Sequence, residues 1–281
     1  MTLSVNFNAR IDFPKVVPVL GTIPPEWDLE RAGSLARTLG TRAKVVDAGP
    51  WYIARDERLA VEVYQGSNSF RFTRRDVDGE ARDGTDGAPD RDTAIAIAQE
   101  WLAPYWPADA EVDIDSVTER EILVATRDER EPKQLLAGLD VNVRFAHRGF
   151  ALLGSGAKAK VAVRRDGSVS EAYRFWRDLA PNGEATTRSL DELYERFSAS
   201  DLFADLTDNS ARAEVVSARF GYLTLPPTEP MPELSPVLEL QGTLETEHQR
   251  YDFTRYVAAV APGDRDRDRK VTNAHPALVI A

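Results

Sequence analysis

The sequence predicts an α+β fold made of repeated units, in each of which a helix packs on a curved antiparallel sheet. Amphipathic helical patterns begin near Asp28, Asp92 and Ser189, and alternating strand patterns follow each of them. The clearest strand pattern covers residues 150–169, where the pair Asp166-Gly167 is typical of a hairpin turn. Curved sheets of this kind can enclose an apolar pocket beneath the helix.

The first predicted unit covers residues 1–75. Its proline-rich start permits an edge strand over 16–20, because proline is tolerated at the edge of a sheet. A helix is predicted over 28–39, with Asp28 as the N-cap and Gly40 as the stop. Strand patterns follow at 51–54, 59–64 and 70–73.

A linker and a central unit come next. Residues 76–91 are rich in Asp, Gly and Arg and have almost no apolar side chains, so we predict an exposed and mobile segment. The central unit covers residues 92–180 and begins with a helix over 92–103. Strand patterns are found at 113–119, 122–127, 139–147, 157–164 and 169–176.

The third predicted unit covers residues 181–261. Its helix begins at a capping box, Ser189-Leu-Asp-Glu192, in which side chain and backbone bond reciprocally. Strand patterns lie at 213–223, 236–241 and 251–260. Charges of opposite sign alternate in the tail, residues 262–281, which is therefore predicted to be solvated.

The composition argues against several classes of partner. The net charge is −11, which disfavours nucleic acid and anionic membrane surfaces, because both bind to concentrated basic surfaces. No segment approaches the ~20 apolar residues that a membrane-spanning helix needs. The N-terminus has no basic and apolar export pattern, so we expect a cytoplasmic protein without membrane insertion, or an extracytoplasmic one if an export signal has been removed.

Metals and cofactors are not expected. The chain has no cysteine, and its three histidines (His147, His248 and His275) lack the spacing of a metal site. Each histidine is predicted to lie on the surface, at a strand end or in a loop. The Gly-x-Gly at Gly154 and Gly156 lacks the continuation of a dinucleotide or phosphate loop and indicates a tight β connection.

The helix-then-sheet order resembles the PepSY/cystatin-like domains of bacterial regulators of the YpeB and YycI/YycH type. The resemblance lies in four strand-and-turn segments: 59–64, 149–169, 222–227 and 235–242. It implies a non-enzymatic role, in which such domains modulate kinases or proteases, and it supplies no catalytic residues.

Two functions remain open from the sequence. The first is a cofactor-independent cyclase or isomerase that shapes an apolar, polyketide-like small molecule, for example a [4+2] cyclase of natural-product biosynthesis. Alternation places four polar side chains opposite apolar neighbours, as candidate catalytic contacts in an aromatic-lined pocket: Tyr64, Lys158, Glu239 and Tyr256. The second is a non-catalytic sensor or regulatory binding protein of the PepSY/YycI kind.

Two lysines on one predicted strand also have two interpretations. Lys158 and Lys160 project from the face opposite Val161 and Val163. They either contact an acidic ligand or protect an exposed sheet face, as lysines commonly do.

Overall fold

The computed structural model describes residues 4–9, 11–74, 88–124, 133–199, 211–247 and 249–260. Three α-helices are described: α1 (Leu29–Thr38), α2 (Arg91–Leu102) and α3 (Leu190–Ser198). The strands are β1 (Ser4–Phe7), β2 (Val16–Ile23), β3 (Val45–Asp47), β4 (Trp51–Arg55), β5 (Leu59–Tyr64), β6 (Ser69–Arg74), β7 (Glu111–Val124), β8 (Lys133–His147), β9 (Phe150–Gly154), β10 (Lys158–Arg164), β11 (Val169–Phe175), β12 (Asp178–Thr186), β13 (Arg212–Thr224), β14 (Glu233–Glu245) and β15 (Arg250–Ala258).

The predicted fold class is wrong, because the described part of the chain is mostly β and its strands do not form repeated helix-on-sheet units. Fifteen strands and three α-helices are found in the described residues. Strand β6 pairs with β11, with Arg71 opposite Tyr173, although many strands separate the two along the chain. Local periodicity reports which face a residue occupies, but it does not report which strand lies alongside.

The chain divides into two compact units. The large unit comprises Thr22–Leu179 with Thr224–Pro232, and the small unit comprises Met1–Gly21, Ala180–Leu223 and Glu233–Ala281. Both units are therefore discontinuous in sequence.

The large unit contains an antiparallel sheet in the order β8-β10-β11-β6-β5-β4-β3. Strands β7 and β9 pair with β8, and β7 follows it over nearly its full length. The predicted turn between β10 and β11 is confirmed: Gly167 has φ +78°, and Asp166 accepts a hydrogen bond of 2.9 Å from the Ser168 amide.

Helix α2 covers one face of this sheet. Its Ala94, Ala98 and Leu102 are fully buried, and it packs on β7, β8 and β10. The indole of Trp101 lies 5.4 Å from the Phe72 ring, and the two rings are tilted rather than parallel. The interface between helix and sheet is therefore filled by side chains, which supplies much of the apolar burial of this unit.

The guanidinium of Arg174 is buried on the same face of the sheet. It is 8% exposed, lies 5.2 Å above the Phe70 ring and donates to the carbonyl oxygens of Tyr105 (2.7 Å) and Asn68 (2.5 Å). Burial lowers the pKa of Arg174 to about 10, so the group stays charged at neutral pH. Its carbonyl partners make this buried charge tolerable.

The small unit is built on β13, β14 and β15, which are antiparallel neighbours. Strand β2 pairs with β14, β12 lies beside β2, and β1 joins β13 in parallel. Helix α3 packs on β15, where Leu193 and Phe197 are fully buried.

The helix starts predicted from capping residues are largely confirmed. Asp28 is the N-cap of α1, and Gly40 follows the helix with φ +104°. The capping box of Ser189 and Glu192 is present at α3. Helix α2 starts slightly earlier than predicted, because Asp90 rather than Asp92 accepts from the helix amide of Thr93. Residues 76–87 of the predicted linker 76–91, and the tail 262–281, lie outside the described residues.

A proline-rich connection in the large unit is held by Arg177. Its guanidinium donates to the carbonyl oxygens of Leu225 (2.8 Å), Pro226 (2.7 Å) and Glu229 (2.8 Å). The chain passes so close to Gly156 that a Cβ atom there would lie 1.8 Å from the Leu225 oxygen. Only glycine fits at this position without displacing the connection.

We therefore expect Gly156→Ala to destabilise the protein by roughly 1–3 kcal/mol, the usual cost of forcing an atom into packed space. Urea unfolding followed by circular dichroism would measure it. Gly66→Ala is the matched control, because its Cβ would meet the Pro227 oxygen at an ordinary 3.6 Å. Equal midpoints for the two variants would contradict the close approach.

Candidate functional site

The sheet of the large unit has a second face, opposite α2, which carries most of its charged side chains. Pairing registers place Lys158 beside Phe175, Lys160 beside Tyr173, and Tyr173 beside Arg71. Since paired residues project to the same side, these side chains share one surface. We call it the polar face; it is defined by Lys158, Lys160, Arg71, Glu171, Tyr173 and Phe175, with their neighbours on β4, β5, β7 and β8.

An ion cluster lies near the middle of the polar face. Glu171 Oε1 accepts from Arg71 at 2.6 Å, and its Oε2 lies 3.4 Å from Arg120 and 3.7 Å from Lys160. Asp140 is 3.2 Å from Lys160 and 3.8 Å from Arg120. Each carboxylate thus faces more than one cation, which fixes five side chains in one arrangement.

The Glu171 carboxyl is only 11% exposed, and its ionisation is set by this cluster. Burial alone raises its pKa, but Lys160, Arg71 and Arg120 together outweigh burial and hold the pKa of Glu171 below its ordinary value. The carboxylate is therefore ionised throughout the neutral range.

Four aromatic rings form a row on the polar face: Trp51, Tyr64, Phe175 and Tyr173. Trp51 and Tyr64 meet edge to face at 6.2 Å, and Tyr64 meets Phe175 in the same way at 5.6 Å. Phe175 then stacks on Tyr173 at 4.4 Å. We call this set the aromatic row. Trp51, Tyr173 and Phe175 are half-buried, so part of the row remains open to contact.

Hydrogen-bonding hydroxyls accompany these rings. Tyr64 is 8% exposed, and its hydroxyl donates to Glu62 Oε2 at 3.3 Å. Burial, reinforced by the charge of Glu62, raises the pKa of Tyr64 to about 12. Burial, with the charges of Glu171 and Asp140, also raises the pKa of Tyr173. Both phenols therefore stay protonated near neutral pH.

Lys158 lies at the end of the aromatic row. Its Nζ is 6.0 Å from the centre of the Tyr173 ring, and Lys160 approaches the same ring at 5.9 Å. Burial, together with the charge of Lys160, lowers the pKa of Lys158. The Lys158 amine is therefore less hydrated than that of a lysine that protects an exposed sheet face.

The structure brings the four predicted site residues together in pairs. Tyr64 and Lys158 share the polar face of the large unit, linked through Phe175 and Tyr173. Glu239 and Tyr256 are direct cross-strand partners on β14 and β15 in the small unit. Their roles in a reaction stay predictions.

Glu239 is more enclosed than a ligand contact on an open strand would be. It is 5% exposed, and its Oε1 accepts from Arg219 at 2.9 Å and from Gln241 at 3.2 Å. Arg219 stands directly opposite it on β13. The carboxylate is thus already neutralised by a neighbouring strand.

Sequence reasoning missed Glu171, Asp140, Arg71 and Arg120. Alternation on β10 and β11 places Glu171 on the face of Lys160, and this signal was available in the sequence. The pairing of β6 with β11 brings in Arg71, and that register has no local sequence signal.

His147 is buried rather than on the surface. It is 4% exposed, and its Nδ1 lies 3.2 Å from the carbonyl oxygen of Asp109. His248 and His275 fall outside the described residues. In the part of the chain that the structure describes, no group of three or more His, Cys, Asp or Glu is placed to hold a metal ion.

A shallow depression lies beside α3 in the small unit. It is lined by Phe7, Asp191, Tyr194, Glu195, Ser198 and Ala199. Phe7 stacks on Tyr194 at 3.8 Å, and the Tyr194 hydroxyl donates to the Ala9 carbonyl. None of the four predicted site residues lines this depression. No helix among the described residues is long and apolar enough to span a bilayer.

No protein-family model matches the chain, and no curated protein matches it. Among solved structures, it is similar to an uncharacterized protein from Eubacterium rectale, with 9% identity, a TM-score of 0.49, and coverage of 95% of this chain and 91% of that one. It is also similar to the YpeB C-terminal domain of Bacillus megaterium, with 14% identity, a TM-score of 0.35, and coverage of 84% and 94%. YpeB is one of the proteins whose domains the strand and turn patterns resemble. Both scores are too low to carry an argument, so family membership stays a prediction.

We expect Glu171→Gln to lower the free energy of unfolding at neutral pH by about 1–3 kcal/mol, since it removes charged hydrogen bonds. Because the folded-state pKa of Glu171 lies below its ordinary 4.5, the carboxylate stabilises the fold above that pH. This contribution is lost as the pH falls through the folded-state pKa. Denaturant unfolding at neutral pH and at successively lower pH should thus show the wild-type and variant curves converging in acid.

Glu57→Gln provides the control, because Glu57 is exposed. Its effect should stay within about 0.5 kcal/mol at every pH. A constant difference between Glu171→Gln and wild type down to strong acid would contradict the assignment of the ion cluster.

Proposed function

We propose that this protein is a non-catalytic binding module whose ligand contacts the polar face of the large unit. The aromatic row carries the proposal: four rings lie in contact across one sheet face, on the side that α2 does not cover. Aromatic side chains present a large apolar surface at a small cost in conformational entropy, and they are common in binding sites.

The protonation states on this face support recognition rather than proton transfer. The raised pKa of Tyr64, about 12, and the lowered pKa of Glu171 keep one group protonated and the other ionised near neutral pH. A general acid or base works best when its pKa is close to the working pH. Groups with fixed protonation act instead as steady hydrogen-bond donors and acceptors.

The ion cluster supplies the rigidity that such a surface needs. Arg71 and Lys160 flank Tyr173 through the strand pairings, and both are held by Glu171. Tyr173 is thus set between two cations that Glu171 holds in place before a ligand arrives. A surface organised in advance loses less free energy on binding.

A fluorescent anionic dye, 8-anilinonaphthalene-1-sulfonate, tests the proposal directly. The folded wild-type protein should bind the dye, and Phe175→Ala should weaken that binding roughly 3–10-fold, as expected for the loss of one aromatic contact. Tyr251→Ala is the control, because Tyr251 is an aromatic residue of the small unit with 37% exposure. Circular dichroism should confirm that both variants are folded.

The proposal would be wrong if the folded wild-type protein did not bind the dye. It would also be wrong if Phe175→Ala and Tyr251→Ala had equal effects on the dye affinity.

A cofactor-independent cyclase or isomerase is the second candidate, and one observation favours it. The Tyr64 phenol, with its pKa raised to about 12, and the Lys158 amine, with its lowered pKa, share a face with aromatic rings. A protonated phenol that turns its single proton from Glu62 to the substrate is a suitable donor to a carbonyl whose charge grows during ring closure. Glu239 and Tyr256 lie in the small unit, and their part in such a reaction stays a prediction.

Incubation with a linear polyene that carries a carbonyl group would test this candidate. An active enzyme should give a product of unchanged mass and altered retention on chromatography. Tyr64→Phe should slow its formation by about 10²–10³-fold, the usual effect of removing one such donor. Tyr52→Phe, on the same hairpin but the opposite sheet face, should leave the rate unchanged. No conversion by the wild-type protein would remove the candidate.

A further inference from the structure

We propose that the Lys158 ammonium is an anion subsite that holds the carboxylate of a ligand whose apolar part rests on the aromatic row. This inference rests on the binding function proposed above and names the chemical class of the ligand. The observations behind it are the charge pairing on the polar face, the burial of the amine and its position beside Tyr173.

The neighbouring cations already have acidic partners. Strands β6, β8, β10 and β11 place Arg71, Arg144, Lys158 and Lys160 on the polar face. Arg71 is bound to Glu171, Lys160 lies beside Glu171 and Asp140, and Arg144 is 2.7 Å from Asp115. Within the described residues of these strands, Lys158 is the cation on this face with no acidic partner.

Because Lys158 is half-buried, the absence of an acidic partner among the described residues is unfavourable for the stability of the fold. The side chain is half-buried, its strand pairing places it beside Phe175, and its amine lies near the Tyr173 ring. Removing an ammonium from water without an anion is unfavourable, and a ring face repays only part of that cost. The lowered pKa of Lys158 has burial as its main cause, in keeping with an amine that lacks a counter-ion.

A ligand carboxylate would supply the missing charge at this point. One lysine offers a single compact charge, which suits a monoanion. Glu171 and Asp140 lie close to Lys160 and would repel a second negative charge, and so would the net charge of −11. A carboxylate is therefore favoured over a phosphate dianion.

The aromatic row defines the rest of the ligand. Phe175 and Tyr173 stack beside Lys158, so an apolar or aromatic group two or three bonds from the carboxylate would reach them. The expected ligand class is a small carboxylic acid with an aromatic or branched apolar substituent, or a peptide C-terminus that carries such a side chain.

Two probes separate the contribution of the ligand carboxylate to binding from that of its aromatic ring: N-acetyl-L-phenylalanine and its neutral amide. Titration calorimetry or ligand-observed NMR should show that the wild-type protein binds the acid roughly 10–100-fold more tightly than the amide, the usual value of a charged hydrogen bond. Lys158→Gln should reduce the affinity for the acid to that for the amide, and leave the amide affinity unchanged. Lys44→Gln, at an exposed lysine of the same unit, should behave like wild type.

A second readout tests the missing partner independently of any ligand. Because Lys158 is half-buried and has no acidic partner in the described part of the chain, Lys158→Gln should leave the melting temperature unchanged or raise it. A clear decrease would indicate that Lys158 has a structural ion pair, and would overturn the subsite.

The outcomes distinguish this inference from the binding function itself. Equal binding of acid and amide, or retention of acid affinity in Lys158→Gln, would overturn the subsite and leave the aromatic row as a binding surface. If neither probe binds while the fluorescent dye does, the carboxylate class is wrong. If the dye also fails to bind, the binding function fails with it.

Discussion

The pairing of β6 with β11 is the contact on which the architecture of the large unit depends. It joins the hairpins formed by β3 to β6 to those formed by β8, β10 and β11, which lie far along the chain. Closing so long a loop costs entropy, but the cost grows only slowly with loop length. The pairing that completes the sheet also places Arg71 opposite Tyr173. The arrangement of the strands and the charges of the polar face therefore depend on the same pairing.

Strand β11 illustrates how one sequence segment serves both faces of this sheet. Glu171 and Tyr173 project to the polar face, whereas Arg174 projects among the aromatic side chains beneath α2. Both charged groups are nearly inaccessible to solvent, but their partners differ. Glu171 contacts cations, whereas Arg174 contacts backbone carbonyl oxygens and an aromatic ring. The face beneath α2 is covered, whereas the polar face buries the Glu171 carboxylate among cations and leaves part of the aromatic row exposed.

Local features of this fold could be predicted from the sequence, and long-range features could not. The caps at Asp28 and Ser189 and the turn at Asp166-Gly167 depend on interactions within four residues, and all three are confirmed. The fold class failed because it depends on which strands pair across the chain, as β6 does with β11.

The same distinction applies to the candidate site. Alternation correctly assigned Lys158 and Lys160 to the face opposite Val161, because side-chain direction follows from spacing alone. It placed Glu239 as a candidate ligand contact but did not reveal its partner Arg219, which lies on a neighbouring strand. Nor does alternation show that Lys158 has no acidic partner among the described residues, because that depends on how Arg71, Arg144 and Lys160 are paired.

The hydrogen bonds from Arg177 to the proline-rich connection determine where residues can be inserted into this protein. Exposed loop tips are usually convenient places to insert an epitope, a protease site or a reporter domain. Here the carbonyl groups of Leu225, Pro226 and Glu229 converge on a single guanidinium, so added residues would pull at least one of them away. An insertion between 225 and 229 would therefore leave a buried charge without its acceptors, whereas the exposed turn at Gly49 would accept the same insert at little cost.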